Sequence, residues 1–214
     1  MLSIITLLQS CSSVHQYLMD NYETKSKNKV TKIHRYDVKK LKLSNFDQVL
    51  IDNNQAAIDE MIRLVQPELD ASTRARYALD IHKALKKFPV NPQIMISLID
   101  TESDFQYTKI SETGDLSIAQ INPEVWNKEF KMLKKDQLSS ELLQSPDQSY
   151  AMMKMAKILT IIQKRHAKKD RRWYARYHSN TPKLKYTYLA KIDERMRILE
   201  KSHPFIMKRS LATN

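Results

Sequence analysis

One carboxylate near the middle of the chain stands where a buried helix should carry a hydrocarbon. In ISLIDTESDF, which covers residues 96–105, Glu102 follows Ile99, Leu98 and Met95 at separations of three, four and seven residues. These separations define one face of an α-helix. A carboxyl group at the end of an apolar face loses hydration of its charged form and keeps its proton closer to neutral pH. Glu102 is therefore a candidate general acid.

Periodicity alone leaves two simpler interpretations of Glu102 open. The side chain could lie in solvent just beyond the helix end, or it could pair with one of the many lysines. A lone glutamate at an apolar helical position is more often solvated or paired with a lysine than catalytic. The choice therefore depends on the residues around it.

The helix that must position Glu102 has a clear start signal. Asn91 followed by Pro92 is typical of an N-cap with proline in the first turn, and it predicts a helix over residues 94–102. Asp70, Ser72 or Thr73 can cap an earlier helix, and Asp147 can cap a later one. Further helices are predicted over residues 46–67, 73–88, 123–130, 152–162, 173–177 and 185–201.

The composition predicts a mainly α fold. The 214 residues include one glycine, Gly114, whereas sheets with tight hairpins rely on glycine for turns of positive φ. We divide the chain into a leader at residues 1–11, a polar tether or extension at 12–45 that is helical or extended, and one helical domain at 46–214. An apolar content of 42% argues against disorder.

Charge indicates the partners in general terms. The net charge is +12, from 36 basic and 24 acidic residues, so the protein should be attracted to anionic polymers. Residues 164–191 hold ten basic residues and one acid, Asp170, whereas residues 100–115 hold five acids and one base, Lys109. The basic run is most simply a solvated face, and otherwise a surface for anionic envelope polymers. We expect no cofactor, no metal and a monomeric protein.

The single cysteine, Cys11, excludes an internal disulfide and follows a short apolar stretch. The residues LLQSC resemble the lipobox at which bacterial lipoproteins are cleaved and lipidated. Two interpretations stay open: an exported leader, or an apolar helix end with a buried thiol. Export would make the protein periplasmic, an outer-membrane lipoprotein or secreted, with membrane contact only through a lipid on Cys11.

The segment that begins at Glu102 decides between the interpretations of the acid. It reads ESDFQYTKISETGDLSIAQ over residues 102–120 and resembles the catalytic segment of lytic transglycosylases and goose-type lysozymes. That pattern is roughly E-S-x-F, a serine, then G-x-x-G-L-M-Q, and it aligns here without a gap. INPEVW resembles the segment that follows, and ARYHSNTPKLKYTYLAKI resembles the later tyrosine segments of the family. The resemblance covers about residues 75–195 and implies a lysozyme-like helical domain.

The resemblance implies that Glu102 protonates the β-1,4 glycosidic oxygen between N-acetylmuramic acid and N-acetylglucosamine in peptidoglycan. It also implies a substrate cleft lined by five further residues: Ser111, Gln120, Tyr177, His178 and Tyr188. Hydroxyl and amide groups bond to sugars, and aromatic rings stack on sugar faces. The alternatives are that the two tyrosines are ordinary core aromatics and that Ser111 and Gln120 are loop or helix caps.

Three residues depart from the family pattern. Ser117 replaces the second glycine and costs little there if its φ is negative. Ala119 replaces methionine, and His178 replaces the usual asparagine. His178 either supplies a titrating donor near the sugar or merely packs.

The reaction outcome depends on a second acid. Goose-type lysozymes carry one two residues after the motif glutamine, where this chain has Asn122. An amide cannot accept a proton from water, so a lytic transglycosylase that forms a 1,6-anhydro product is favoured over a hydrolytic muramidase. Four acids remain candidates for a substitute: Asp100, Asp104, Glu112 and Asp115.

Two further hypotheses follow. If Asp104, Glu112 or Asp115 faces a subsite, the enzyme should tolerate a de-N-acetylated glucosamine, whose ammonium is attracted to a carboxylate. The alternative from another class is a non-enzymatic basic helical module that binds anionic polymers or nucleic acid, supported by residues 164–191 and Trp173. We expect no nucleic-acid partner, because a binding module has no use for an acid at the end of an apolar face.

Overall fold

The computed structural model of this chain describes residues 55–178 and 182–202, with side chains over 55–178 and 186–202. The predicted leader, Cys11, the predicted tether and the first part of the predicted 46–214 domain lie outside these residues. The described ranges contain no β-strand, and Leu116 and Ile121 form an isolated antiparallel bridge. The prediction of a mainly α fold is confirmed.

The described ranges hold seven α-helices and one 3-10 helix. In chain order they are α1 (Gln55–Val65), α2 (Ala71–Lys87), α3 (Pro92–Ser103), α4 (Pro123–Met132), α5 (Ser140–Gln144), α6 (Ser149–His166), the 3-10 helix η1 (Trp173–Tyr177) and α7 (Pro182–Lys201). No helix in these ranges has the length and apolar content that crossing a membrane requires.

Helix α3 is the core of the fold and carries Glu102 in its last turn. Asn91 Oδ1 accepts a hydrogen bond from the Ile94 amide at 3.2 Å, and Pro92 lies in the first turn, as the sequence predicts. Residues 92–100 are all buried. The helix is therefore buried on every side rather than on the single face that the apolar spacing indicated.

Two helices pack directly on α3, and the others pack on one another. Helices α1 and α7 pack directly against α3, α2 packs against α1 and α6, and η1 packs against α6 and α7. The predicted cap of α2 is confirmed, because Asp70 Oδ1 accepts from the Thr73 amide at 2.9 Å. The packing of α7 against α3 brings together two segments that are distant in the sequence, around residues 102 and 188.

The start of α6 differs from the prediction. Gln148 rather than Asp147 is the N-cap residue, although Asp147 Oδ1 accepts from the Ser149 amide at 3.0 Å. The Gln148 side chain makes no capping bond because it is buried and turned inward, where its Oε1 accepts from the Ile118 amide at 2.9 Å. Helix α5 was not predicted, although Ser139 Oγ accepts from the Leu142 amide at its start.

A loop of residues 104–122 follows α3 and folds back over its last turn. Ser103 Oγ donates to the Ile118 carbonyl oxygen at 2.7 Å, while Gln148 holds the Ile118 amide. Both backbone groups of Ile118 are therefore fixed, one by α3 and the other by the residue that precedes α6. This double anchor fixes the loop beside Glu102.

Candidate active site

Glu102 lies at the boundary between the core and solvent. Its side chain is 10% exposed, since the last turn of α3 leaves the buried centre where the 104–122 loop begins. It does not extend into solvent, and among the described residues it forms no ion pair with a lysine. The two simpler interpretations of this residue therefore do not describe its position.

Tyr188 on α7 is the closest polar partner of Glu102. Its hydroxyl donates to Glu102 Oε1 at 2.6 Å, and the residue is 5% exposed. Burial raises the pKa of Tyr188 well above its ordinary value, and the charge of Glu102 and the hydrogen bond to it act in the same direction. The phenol therefore remains a hydrogen-bond donor to the carboxylate across the working pH range.

His178 approaches the same carboxylate oxygen from the solvent side. Its Nδ1 lies 3.8 Å from Glu102 Oε1, which is an ion-pair distance rather than a hydrogen bond. The imidazole stacks on the Tyr188 ring, with centroids 4.4 Å apart and planes inclined by 14°. The interaction with Glu102 raises the pKa of His178, and Asp115 adds to this effect, while partial burial and Lys191 oppose it.

Tyr177 lies beside this group but bonds to the loop. Its hydroxyl donates to the Ala119 carbonyl oxygen at 2.7 Å. Burial raises the pKa of Tyr177 well above its ordinary value, with the charges of Glu102 and Asp115 as further causes. Of the two predicted cleft tyrosines, Tyr188 contacts the acid and Tyr177 braces the backbone next to it.

Ser111 is part of a small hydrogen-bonded turn. Its hydroxyl donates to Asp115 Oδ2 at 2.7 Å and accepts from the Asp115 amide at 2.9 Å. Thr113 Oγ1 also donates to Asp115 Oδ2, at 2.8 Å. The hydroxyl of Ser111 thus holds the shape of the loop, which is the capping role left open above.

Gln120 braces the same loop from its other end. Its Nε2 donates to the carbonyl oxygens of Lys109, at 2.7 Å, and Ser117, at 2.9 Å. Its Oε1 makes no hydrogen bond with any described residue. Ser111 and Gln120 are therefore near the site as parts of its loop, and neither side chain bonds to Glu102, Tyr177, His178 or Tyr188.

Ser117 occupies a backbone conformation that favours glycine. Its φ is +73°, so the condition under which serine would cost little there is not met. A left-handed conformation costs a non-glycine residue about 1 kcal/mol. Ser117 Oγ accepts from the Ala119 amide at 3.2 Å and keeps that buried amide bonded.

Asn122, at the position of the second acid in goose-type lysozymes, is used as a cap. Its Oδ1 accepts from the Val125 amide at 3.0 Å at the start of α4, and its Nδ2 donates to the Thr113 carbonyl oxygen at 2.9 Å. Both ends of the amide are therefore committed to structure.

Asp100 forms a buried ion pair that sequence analysis missed. It is 3% exposed, and its Oδ2 lies 2.5 Å from Arg195 Nε on α7. Burial raises the pKa of Asp100, against the opposing effect of Arg195. The acidic residue at an apolar position was a visible signal, but nothing in the sequence identified Arg195 as its partner. The sequence also gave no indication that Gln148 would bind the Ile118 amide.

Two of the other candidate acids also have partners. Asp104 lies 3.6 Å from Lys109 Nζ, and Asp115 accepts the hydroxyls of the loop turn described above. Glu112 is exposed on the loop.

The buried helix α3, the carboxylate at its end and the tyrosine that bonds to it thus lie together in an all-α part of the chain. Residues 80–182 match the family model described as "Transglycosylase SLT domain", a span just under half of the chain. The match supports an SLT-like lytic transglycosylase domain over these residues. SLT domains have a lysozyme-like helical fold and act on the glycan strands of peptidoglycan in the extracytoplasmic space. No curated protein matches the chain.

The match confirms the predicted family and, in its general form, the predicted activity on peptidoglycan. Glu102, Ser111, Gln120, Tyr177 and His178 lie within the matched residues, and Tyr188 lies beyond them. The inclusion of Tyr188 in the site rests on its hydrogen bond to Glu102.

Proposed function

We propose that the chain is a lytic transglycosylase that cleaves the β-1,4 bond between N-acetylmuramic acid and N-acetylglucosamine with Glu102 as general acid and base. The observation that carries the proposal is the hydrogen bond from Tyr188 to Glu102 Oε1. It occupies one carboxyl oxygen, and Oε2 has no hydrogen bond with any described residue. Glu102 is therefore held in place with one oxygen left to exchange a proton with substrate.

The proposed reaction uses Glu102 twice. In the first step its proton passes to the glycosidic oxygen, and the bond from that oxygen to C1 of the muramic acid breaks. In the second step the 6-hydroxyl oxygen of the same sugar bonds to C1, and its proton returns to the Glu102 carboxylate. The hydroxyl of Tyr188 stabilises the carboxylate between the steps.

Hydrolysis would need a second group to activate water. Asn122 caps α4, Asp100 is buried against Arg195, and Asp104 faces Lys109. These commitments support the anhydro product over the muramidase alternative. The mass of the released sugars discriminates, because a hydrolytic product is one water heavier.

The remaining cleft residues are proposed to bind or frame the sugar. His178 is the most exposed of them, with 42% of its side chain accessible, and it stacks on one face of the Tyr188 ring. Gln120 has a free amide oxygen for a sugar hydroxyl or acetamido group. Ser111 and Tyr177 are proposed to act by holding the loop that borders the cleft.

Tolerance of de-N-acetylated glucosamine is proposed through Asp115. Asp115 is the loop acid whose charge raises the pKa of both Tyr177 and His178. The charge of Asp104 is offset by Lys109. A sugar ammonium in that field would be attracted. Native and enzymatically deacetylated walls should be digested in parallel, and slower release from the deacetylated wall by wild type than by Asp115→Asn would contradict the proposal.

The binding-module alternative finds less support. Trp173 is 1% exposed, so its ring is not accessible for stacking on a base. Three arginines of the basic run form ion pairs with acids of the protein: Arg165 with Glu129, Arg172 with Asp193 and Arg176 with Asp170. The exposed lysines remain a surface for anionic envelope polymers.

The test of the proposal is a comparison of wild type with Glu102→Gln on purified peptidoglycan. The glutamine keeps an oxygen for Tyr188 but has no proton to donate, so we expect clearing of the suspension to stop. Thermal unfolding should stay within a few degrees of wild type. Equal clearing by both proteins would contradict the proposal.

We also propose where in the extracytoplasmic space the protein lies. We propose export through the leader at residues 1–11, with lipid on Cys11. Metabolic labelling with a radioactive fatty acid should mark wild type and not Cys11→Ser, whereas equal labelling of both would exclude this site.

A further inference from the structure

His178 lies close enough to Glu102, the proposed general acid, to interact with its charge. Two side chains approach Glu102 Oε1: the Tyr188 hydroxyl bonds to it at 2.6 Å, and His178 Nδ1 lies at 3.8 Å. Their two rings stack on each other. The stack holds the imidazole over the Tyr188 ring, so packing sets the distance from His178 to the Glu102 carboxylate. The asparagine usual at this position in the family would not titrate.

The environment of His178 favours its charged form. The groups that act on it are Glu102 on α3, Asp115 on the loop, and Tyr188 and Lys191 on α7. The carboxylates of Glu102 and Asp115 outweigh the ammonium of Lys191, so the electrostatic potential at the imidazole is negative. This potential raises the pKa of His178. Because the ring is partly exposed, its proton exchanges freely with solvent.

We infer that His178, as the imidazolium, is a positioning residue that stabilises the carboxylate of Glu102 after it has given up its proton. The inference rests on the proposed role of Glu102 as general acid. This stabilisation is present only while His178 is protonated. Its contribution to cleavage should therefore be lost as pH rises and the imidazolium loses its proton.

The first experiment measures the pair without reference to catalysis. Histidine ring resonances are followed by NMR as a function of pH in wild type and in Glu102→Gln. The midpoint for His178 should move to lower pH in the variant, because the carboxylate that favours its charged form is gone. His82, on α2 and next to Lys86, should not move, and it serves as the internal control. An unchanged midpoint for His178 would overturn the inference.

The second experiment measures kcat/KM against pH for wild type and His178→Asn. Wild type loses the imidazolium as pH rises, whereas the variant has no charge at this position at any pH, so the ratio of wild-type to variant kcat/KM should fall towards one at high pH. The maximum should fall about fivefold, as expected for a partly exposed ion pair of roughly 1 kcal/mol. A variant profile that superimposes on that of wild type would overturn the inference.

The failure of this inference is distinct from failure of the proposed function. If wild type cleaves peptidoglycan but the two profiles coincide, Glu102 remains the acid and His178 has no positioning role. If wild type cleaves no peptidoglycan at any pH, the proposed function fails and the inferred role of His178 fails with it. A shifted midpoint in the NMR titration would then show a charge pair without a catalytic consequence.

Discussion

The Tyr188 hydroxyl lies 2.6 Å from Glu102 Oε1, although the two residues are 86 positions apart in the chain. The contact joins α7 to the last turn of α3. It fixes one oxygen of the proposed acid and offers a donor to the charge that develops there.

Removing this donor should slow catalysis without unfolding the protein. In Tyr188→Phe the ring and its stack with His178 remain, but the carboxylate loses a charge-assisted hydrogen bond. Such bonds contribute about 1.5–3 kcal/mol, so we expect kcat/KM on soluble glycan strands to fall roughly 10- to 100-fold.

Tyr174→Phe is the matched control. Tyr174 is also buried, and its hydroxyl lies 3.5 Å from Asp193 rather than near Glu102. Its kcat/KM should stay within twofold of wild type. Equal losses in both variants would show that Tyr188 acts only through packing.

The ion pair between Asp100 and Arg195 should hold α7 against α3. In Arg195→Ala the buried carboxylate loses its partner, which typically costs about 3–5 kcal/mol of the free energy of unfolding. Urea unfolding at pH 7 measures this loss. Arg197→Ala is the control, because Arg197 is exposed and its Nε bonds only to the Asp193 carbonyl oxygen among the described residues.

The cost of losing Arg195 should depend on pH. Burial raises the pKa of Asp100 in the folded protein, so folding favours its protonated form, and this residue's contribution to stability falls as pH rises from the unfolded pKa through the folded one. Loss of Arg195 raises the folded pKa further. The difference in stability between wild type and Arg195→Ala should therefore be larger at pH 7 than at pH 4, and a difference independent of pH would contradict the assignment.

The left-handed backbone at Ser117 can be tested by comparing two small residues. Ser117→Ala and Ser117→Gly both lose the bond from the Ala119 amide to Ser117 Oγ, but only glycine relieves the positive φ. The glycine variant should be more stable than the alanine variant by about 1 kcal/mol. Denaturant unfolding measures the difference, and an alanine variant of equal or greater stability would show that the backbone at residue 117 is unstrained.

The sequence predicted the parts of the site that depend on local signals. Asn91 and Pro92 start α3, and the spacing of Met95, Leu98 and Ile99 carries it to Glu102. The resemblance of residues 102–120 supplied the family. These features depend on one turn of helix or on a contiguous motif, so neighbouring residues in the sequence are enough to reveal them.

Contacts between distant segments could not be predicted in the same way. Arg195 is one of six basic residues on α7, and only the packing of this helix selects it as the partner of Asp100. Nothing in the sequence singled out Gln148, which accepts a hydrogen bond from the Ile118 amide of the loop. Ser111 and Gln120 matched the motif, but the direction of their hydrogen bonds depends on positive φ angles in the loop that residue types do not reveal.

In the proposed mechanism Glu102 delivers and recovers one proton, and the reaction consumes no water. Mass analysis of the muropeptides released from purified walls by wild type, with Glu102→Gln as control, tests it most directly. We predict 1,6-anhydromuramic ends, one water lighter than reducing ends, from wild type and no release by the variant. Reducing ends throughout, or the same products from Glu102→Gln, would contradict the account.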